Sequence, residues 1–120
     1  MITAGILIGH YLGDFLLQPR SWADKKHEDS KALIKHISVY TAVITASLWF
    51  ALRLSGDILP LSLIIWWGLL NGIAHLIIDY FTSRAFHRNW PKNKALAINI
   101  FGLDQLAHLM CLFGTLGTMP

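Results

Sequence analysis

The chain has 120 residues, of which 54% are hydrophobic and 14% are charged, and its mean hydropathy is +0.48. This apolar excess is more than a soluble domain needs to fill one core, and it indicates a single-domain membrane protein. The 10 basic and 7 acidic residues give a net charge of +3, but the chain is too apolar for a nucleic-acid binder. The single cysteine, Cys111, excludes an internal disulfide and any motif of paired metal-binding cysteines.

Four apolar stretches follow one another along the chain, at residues 2–18, 33–54, 58–82 and 95–118. About 20 residues of helix cross a bilayer, so three of the stretches are long enough and the first is short. The first has no basic residue before it and no small-residue cleavage site after it, so we expect a helix and not a signal peptide. The pattern predicts an all-α fold, with residues 1–120 forming one up-and-down bundle of four transmembrane helices.

Basic residues predict how this bundle is oriented, because Lys and Arg near helix ends stay on the cytoplasmic side. Only Arg53 lies beside the second connector. The first and third connectors and their flanks hold the rest: Arg20, Lys25, Lys26, Lys31, Lys35, Arg84, Arg88, Lys92 and Lys94. We therefore expect a multi-pass membrane protein, surrounded by lipid, with the first and third connectors in the cytoplasm and both termini on the outside.

Histidine and aspartate interrupt the apolar stretches, mostly in pairs four residues apart. The pairs are His10 with Asp14, His75 with Asp79, and Asp104 with His108, and the second stretch carries His36. A buried Asp at the centre of a membrane helix costs about 2.5–3.5 kcal/mol, and residues four apart share one helix face. The predicted orientation places the pairs toward the cytoplasmic half, so we expect them to converge on one site inside the bundle.

These side chains are ligands for divalent transition metals, and zinc is our first choice. They exceed one tetrahedral shell, so either two metals share a bridging carboxylate or one metal binds and the other groups orient its ligands. His36, taken alone, is more typical of a hydrogen-bonded core residue. The candidate ligands are His10, Asp14, His36, His75, Asp79, Asp104 and His108, with Asp79 or Asp104 as general base.

Further polar residues are candidates for supporting roles. Gln18, Asn71 and Gln105 extend the polar helix faces and are candidate hydrogen-bond partners of the ligands. Lys26 and Arg84 lie near the cytoplasmic mouth and are candidates to bind an anionic substrate, although membrane topology explains their charge equally well. Gly5, Gly9 and Gly13 form a small-residue stripe, which predicts close packing within the bundle or between two copies of the chain.

The motifs together resemble a known family. His10-x-x-x-Asp14-Phe15-x-x-Gln18, then Trp22-Ala23-x-x-Lys26, His36, His75-x-x-x-Asp79 and Asp104-Gln105-x-x-His108 are similar to small bacterial and phage membrane proteins catalogued as domain of unknown function 3307. That resemblance covers nearly the whole chain and implies no activity, but it implies a bacterial inner membrane, in which the outside termini would be periplasmic. The His-x-x-x-Asp helices alone are similar to small bacterial inner-membrane proteins described as metal-dependent hydrolases, which implies a hydrolytic chemistry.

Three functions fit these observations. The first is a metal-dependent hydrolase that cleaves a lipid-linked or amphipathic ester or phosphoester at the cytoplasmic leaflet. The second is a divalent-cation or proton transporter or channel, but the outer halves of the helices offer little polarity beyond Thr41, Thr45, Ser47 and Ser62. This favours a one-sided pocket over a pore through one chain, and it leaves open a pore between protomers of a homo-oligomer. The third is a non-enzymatic, phage-encoded membrane partner protein.

Overall fold

The computed structural model describes residues 1–119, and within that range the chain is helical and has no strand. Helix α1 (Ile2–Tyr11) runs directly into a π-helical segment, Leu12–Leu16, and the short helix α2 (Arg20–Ala23) follows. Three long helices complete the fold: α3 (Ser30–Ser55), α4 (Leu61–Asn89) and α5 (Lys94–Leu116). The all-α prediction is confirmed. Helix α3 starts before residue 33 and α4 continues past residue 82, because their polar ends extend beyond the apolar stretches.

Local chemistry fixes the ends of the long helices. The Asp29 carboxylate accepts a hydrogen bond of 2.8 Å from the backbone N–H of Lys31 at the start of α3. Gly56 ends α3 with a φ of 79°, a left-handed conformation that favours glycine. Pro60 precedes α4, and the Asn93 side chain accepts a hydrogen bond from the backbone N–H of Leu96 in the first turn of α5.

Consecutive long segments pack antiparallel, with small residues at the contacts. A Cβ added to Gly5 would lie 2.5 Å from the Cβ of Ala51, and one added to Gly9 would lie 2.5 Å from the Cβ of Ser47. The glycine stripe therefore packs α1 against α3 within one chain. Gly68 and Gly72 of α4 face Thr45 and Thr41 of α3 in the same way, and α5 packs against α4.

The Gly9→Ala substitution is expected to destabilise the protein, because its Cβ would overlap the Ser47 side chain and force α1 away from α3. Overpacking of this kind costs about 1–3 kcal/mol. The matched control is Gly102→Ala in α5, where nothing lies within 4 Å of the added Cβ. That change is expected to be neutral or to stabilise the helix by up to about 1 kcal/mol. Thermal unfolding in detergent compares the two, and equal melting temperatures would contradict the tight α1–α3 contact.

The interior has an apolar half and a polar half. Near the α3–α4 connector, the apolar half is formed by Ile6, Ile44, Leu48, Leu52, Ile64, Trp67 and Leu112, with Tyr40 at its boundary. The polar half lies toward the other ends of the helices. Many large apolar side chains are exposed on the outside, among them Trp66 (69%) and Phe81 (66%). Helices α3, α4 and α5 are long and apolar enough to cross a membrane.

Candidate metal centre

All of the predicted ligands are buried in the polar half of the interior. None of them is more than 7% exposed. His10 and Asp14 come from α1 and the π-helical segment, His36 from α3, His75 and Asp79 from α4, and Asp104 and His108 from α5. The fold therefore brings these seven side chains from four consecutive segments to one region.

Asp14 lies in the π-helical segment, where the helical turn is one residue wider than in an α-helix. The backbone N–H of Leu17 donates a hydrogen bond of 2.8 Å to the carbonyl oxygen of Leu12, five residues earlier. Such segments are rare, and they occur frequently at functional sites. The wider turn places the buried Asp14 at the last turn of this helix, directly before the polar connector.

Four of the side chains form a compact group in which each offers one ligand atom: Asp14, His36, His75 and Asp79. The Nε2 atom of His36 lies 3.0 Å from Nε2 of His75, 3.2 Å from Oδ1 of Asp14 and 3.3 Å from Oδ2 of Asp79. His75 Nε2 lies 3.4 Å and 3.5 Å from the same two oxygens. A tetrahedral zinc with bonds of about 2.0–2.2 Å separates its ligand atoms by roughly 3.3–3.6 Å. The spacing of the group fits one such ion.

Hydrogen bonds alone do not account for this convergence. An imidazole Nε2 carries at most one hydrogen, so His36 can donate to only one of its three close neighbours. Oδ1 of Asp14 and Nδ1 of both His36 and His75 have no hydrogen-bond partner within residues 1–119. In both histidine rings, Nε2 is the nitrogen that faces the other polar groups. A cation at the centre of the group would therefore contact both Nε2 atoms and both carboxylate oxygens at once.

Lys26 also reaches this group from the first connector. Its ammonium group donates a hydrogen bond of 2.7 Å to Oδ2 of Asp79, and its side chain is 18% exposed. Burial by itself lowers the pKa of Lys26, but the carboxylates of Asp79 and Asp14 outweigh this and raise the pKa above 10.5, so the lysine stays charged. With neutral histidines, the carboxylates of Asp14, Asp79 and Asp104 together with Lys26 leave a net charge of −2, which one divalent cation balances.

A second group, Asp14, Asp104 and His108, lies beside the first and shares Asp14 with it. Asp104 accepts a hydrogen bond from Thr82 at Oδ1, and its Oδ2 lies 3.5 Å from Nδ1 of His108. The Gln105 side-chain amide donates to Oδ2 of Asp14 at 3.0 Å and to Oδ2 of Asp104 at 2.9 Å. Gln105 therefore orients both carboxylates, as a supporting residue would.

The other candidates from the sequence lie in different places. His10 is outside both groups: its Nδ1 lies 3.2 Å from the Tyr40 hydroxyl and its Nε2 lies 3.0 Å from Oε1 of Gln105. Asn71 donates to the Trp67 carbonyl and to the Thr115 hydroxyl, one step toward the apolar half. These contacts make His10 a neighbour of the cluster and Asn71 a link between α4 and α5.

Gln18 and Arg84 are the two remaining candidates. Gln18 lines the pocket beside the cluster, and its Oε1 has no hydrogen-bond partner within residues 1–119. Arg84 does not join the cluster: its guanidinium group lies 3.8 Å from the centre of the Tyr80 ring and donates to the Tyr80 carbonyl. The structure therefore separates the two predicted substrate-binding cations, with Lys26 inside and Arg84 outside.

Two features of the site were not found by sequence reasoning. Thr82 bonds Asp104 from the neighbouring helix, and it carries no signal of its own because an isolated threonine is common in apolar helices. The π-helical segment likewise has no sequence signature here. Tyr40, which contacts His10, was identifiable from the sequence, since it lies four residues after His36 and extends the polar face of that helix.

A pocket of about 270 Å³ opens beside the cluster. Its polar wall contains Asp14, Asp79 and Asp104 together with Lys26, and its apolar wall contains Phe15, Phe86 and Phe101. Two larger grooves lie on the outer surface of α3, against α4 and against α1, and no titratable side chain lines either of them. The smaller pocket is therefore the one in which chemistry at the cluster would take place.

Fold and site together define an all-helical protein with three apolar helices of membrane-spanning length and a buried His/Asp cluster that could hold a metal ion. The chain belongs to the family described as protein of unknown function (DUF3307), whose model matches residues 2–118. This confirms the family resemblance noted in the sequence. A search of curated proteins and a search of solved structures found no match.

Proposed function

We propose that the chain is an integral protein of the bacterial inner membrane with both termini in the periplasm. The exposed apolar side chains and the buried polar side chains support this, because a bilayer solvates apolar surface and disfavours polar groups that face the lipid. The Lys and Arg residues in and beside the connectors at residues 17–29 and 90–93 support a cytoplasmic location for that end of the bundle, because these residues are retained on the cytoplasmic side. The cluster then lies in the cytoplasmic half of the membrane.

The cluster holds one divalent transition metal, with zinc as our first choice. The observation that carries this proposal is that the His36 and His75 Nε2 atoms lie 3.0–3.5 Å from each other and from one carboxylate oxygen each of Asp14 and Asp79, close to the spacing of ligand atoms around a tetrahedral zinc. Among these ligands, Asp79 exchanges most easily, because its Oδ2 also accepts a hydrogen bond from Lys26. Asp79 is therefore the residue that would give way to a water, which a catalytic zinc site needs beside its protein ligands.

The reaction is hydrolysis of an amphipathic or lipid-linked phosphoester or ester. Bound metal lowers the pKa of a coordinated water and polarises the scissile group. Asp104 lines the pocket outside the four-ligand group, so its carboxylate, oriented by Thr82 and Gln105, takes the proton from the attacking water. The water oxygen bonds to phosphorus or to the carbonyl carbon, the bond to the leaving oxygen breaks, and that oxygen receives the proton from Asp104.

Transport through a single chain is less well supported. The interior beyond the cluster is closed by the apolar side chains of Ile44, Leu48 and Trp67, and within residues 1–119 the hydrogen-bonded pair Asn71 and Thr115 extends the polarity in that direction. A conducting path needs polar groups across the whole membrane. In a purely structural partner protein, the charged network would be needed for folding only, and the metal-loaded protein would have no hydrolytic activity. The following experiment distinguishes this case from a hydrolase.

The Asp104→Asn variant is expected to keep its metal and to lose hydrolysis by about 10²–10⁴-fold, the usual contribution of a general base. Metal-loaded protein in detergent is assayed with alkyl p-nitrophenyl phosphate and p-nitrophenyl octanoate, and metal content is measured on the same sample. The matched control is Asp57→Asn, in the exposed α3–α4 connector. No hydrolysis by the metal-loaded wild type would refute the hydrolase proposal, and an unchanged rate in Asp104→Asn would refute the role of Asp104.

A further inference from the structure

We propose that an anionic lipid of the surrounding bilayer reaches the cluster sideways, through the seam between the first segment (Ile2–Leu16) and α5. We call this the α1–α5 seam. The inference deepens the proposed function, because it names the class of substrate and the route by which it enters. Recognition of the lipid headgroup rests on the proposed metal. This seam is packed differently from the other contacts between neighbouring helices.

The other seams of the bundle close by direct packing of helix backbones. The α1–α3 seam closes at Gly5 and Gly9, and the α3–α4 seam closes at Gly68 and Gly72, where an added Cβ would overlap the facing helix. Helix α5 packs along α4. The backbone of the first segment, in contrast, scarcely approaches that of α5, so this seam is filled by side chains and can open by rotamer changes.

Few side chains bridge the α1–α5 seam. The rings of Phe15 and Phe101 meet edge to face with centroids 6.2 Å apart, and Phe101 meets Phe86 at 6.4 Å. The two side-chain hydrogen bonds that cross the seam within residues 1–119 both belong to Gln105, which contacts His10 and Asp14. An apolar chain can replace the aromatic contacts at little cost, because lipid tails and phenylalanine rings are both apolar.

The bridging aromatics connect the pocket with the outside of the bundle. Phe15 is 41% exposed and Phe101 is 44% exposed, yet both line the pocket that contains Asp79 and Asp104. In a membrane, the exposed parts of these rings would face acyl chains. A molecule in this seam would therefore have its apolar part in the bilayer and its polar head against the carboxylates.

The charged groups at the pocket end of the α1–α5 seam determine which lipid headgroup can bind there. Asp14, Asp79 and Asp104 repel an anion while the cluster is without a metal, whereas a divalent cation together with Lys26 attracts one. Lys26 lines the pocket directly. The occupant that fits is a lipid with a phosphate group at its head, and binding of that head is expected to depend on the metal.

Photo-crosslinking in nanodiscs tests this route. The probe is phosphatidic acid with a diazirine in one acyl chain, the comparison probe is diacylglycerol with the same chain, and mass spectrometry maps the labelled peptides. We expect phosphatidic acid to label the peptides that contain Phe15 and Phe101 more strongly than those that contain Trp49 and Ile65, which line the outer groove between α3 and α4. EDTA is expected to abolish the preference for phosphatidic acid over diacylglycerol. Labelling of the seam no stronger than that of the outer groove would overturn the proposal.

A matched pair of variants separates the route from the metal site. Ala23→Leu adds bulk to the pocket wall and is expected to remove the seam labelling, whereas Ala95→Leu, on the exposed start of α5, is expected to leave it unchanged. Metal content is measured on each sample. Seam labelling by both probes alike in a protein that binds no metal would refute the proposed function and the recognition of the head, but it would support the lateral route. Metal binding without seam labelling would refute the route and leave the proposed metal site standing. Full labelling of a correctly folded Ala23→Leu variant would also contradict the route.

Discussion

His36→Ala and His75→Ala are each expected to weaken metal binding by at least about 100-fold, since even residues that only orient ligands contribute 10–100-fold. Each substitution removes one corner of the tetrahedral group and leaves Asp14 and Asp79 with a single imidazole between them. Elemental analysis of detergent-purified protein, followed by zinc titration of the chelator-treated protein, measures the effect. We expect about one equivalent of metal in the wild type.

The control for these variants is His87→Ala. His87 stacks on His27 with ring centroids 3.6 Å apart and does not belong to either ligand group. Its removal is expected to leave metal content unchanged. Thermal unfolding verifies that the His36 and His75 variants are folded, and His75→Gln, which keeps a polar side chain of similar length, provides a second variant if alanine prevents folding. Unchanged zinc affinity in a folded variant would refute the proposed ligand set.

Lys26→Met is expected to destabilise the metal-free protein by about 3 kcal/mol, because removal of one partner leaves a buried carboxylate without compensation. Asp79 is only 2% exposed in its side chain and would lose the ammonium group 2.7 Å from Oδ2. The same change is expected to raise zinc affinity, since it removes a positive charge beside the cation and a competitor for Asp79. Metal should therefore restore most of the lost stability.

Thermal unfolding with and without zinc measures both effects of Lys26→Met. The control is Lys25→Met, which removes an exposed charge from the same connector and is expected to change neither stability nor zinc affinity. If Lys26→Met lowers stability equally with and without zinc, then the lysine supports the fold independently of the metal. If it changes nothing, the buried ion pair does not form.

The convergence of the polar helix faces could be predicted from the sequence because the cost of burying charge in an apolar helix leaves few arrangements. Spacing of four placed His75 and Asp79 on one face, and the bias of basic residues placed the pairs at one end of the bundle. The structure brings these side chains together there. The family was also recognisable from the spacing of these motifs, and the match over residues 2–118 confirms it.

The exact partners at the site could not be predicted, because they depend on helix rotation and on a connector that returns to the interior. His10 and Asp14 share a spacing with the other pairs, yet only Asp14 enters a ligand group, and the π-helical segment begins between them. Lys26 has the sequence context of an ordinary topology charge. Its burial depends on the fold of residues 17–29, for which hydrophobic periodicity gives no information.

The early end of the π-helical segment has a further consequence for the membrane around the protein. Helix α4 continues to Asn89, ten residues or about 15 Å beyond Asp79, whereas the first segment ends at Leu16, two residues beyond Asp14. The helical rim of the bundle is therefore lower on this side, which is also the side of the seam with α5, and the connector that carries Lys26 and His27 lies over the cluster there in place of a helix. We expect interfacial water and phosphate headgroups to approach the cluster at this low rim, without any rigid-body movement of the three long helices.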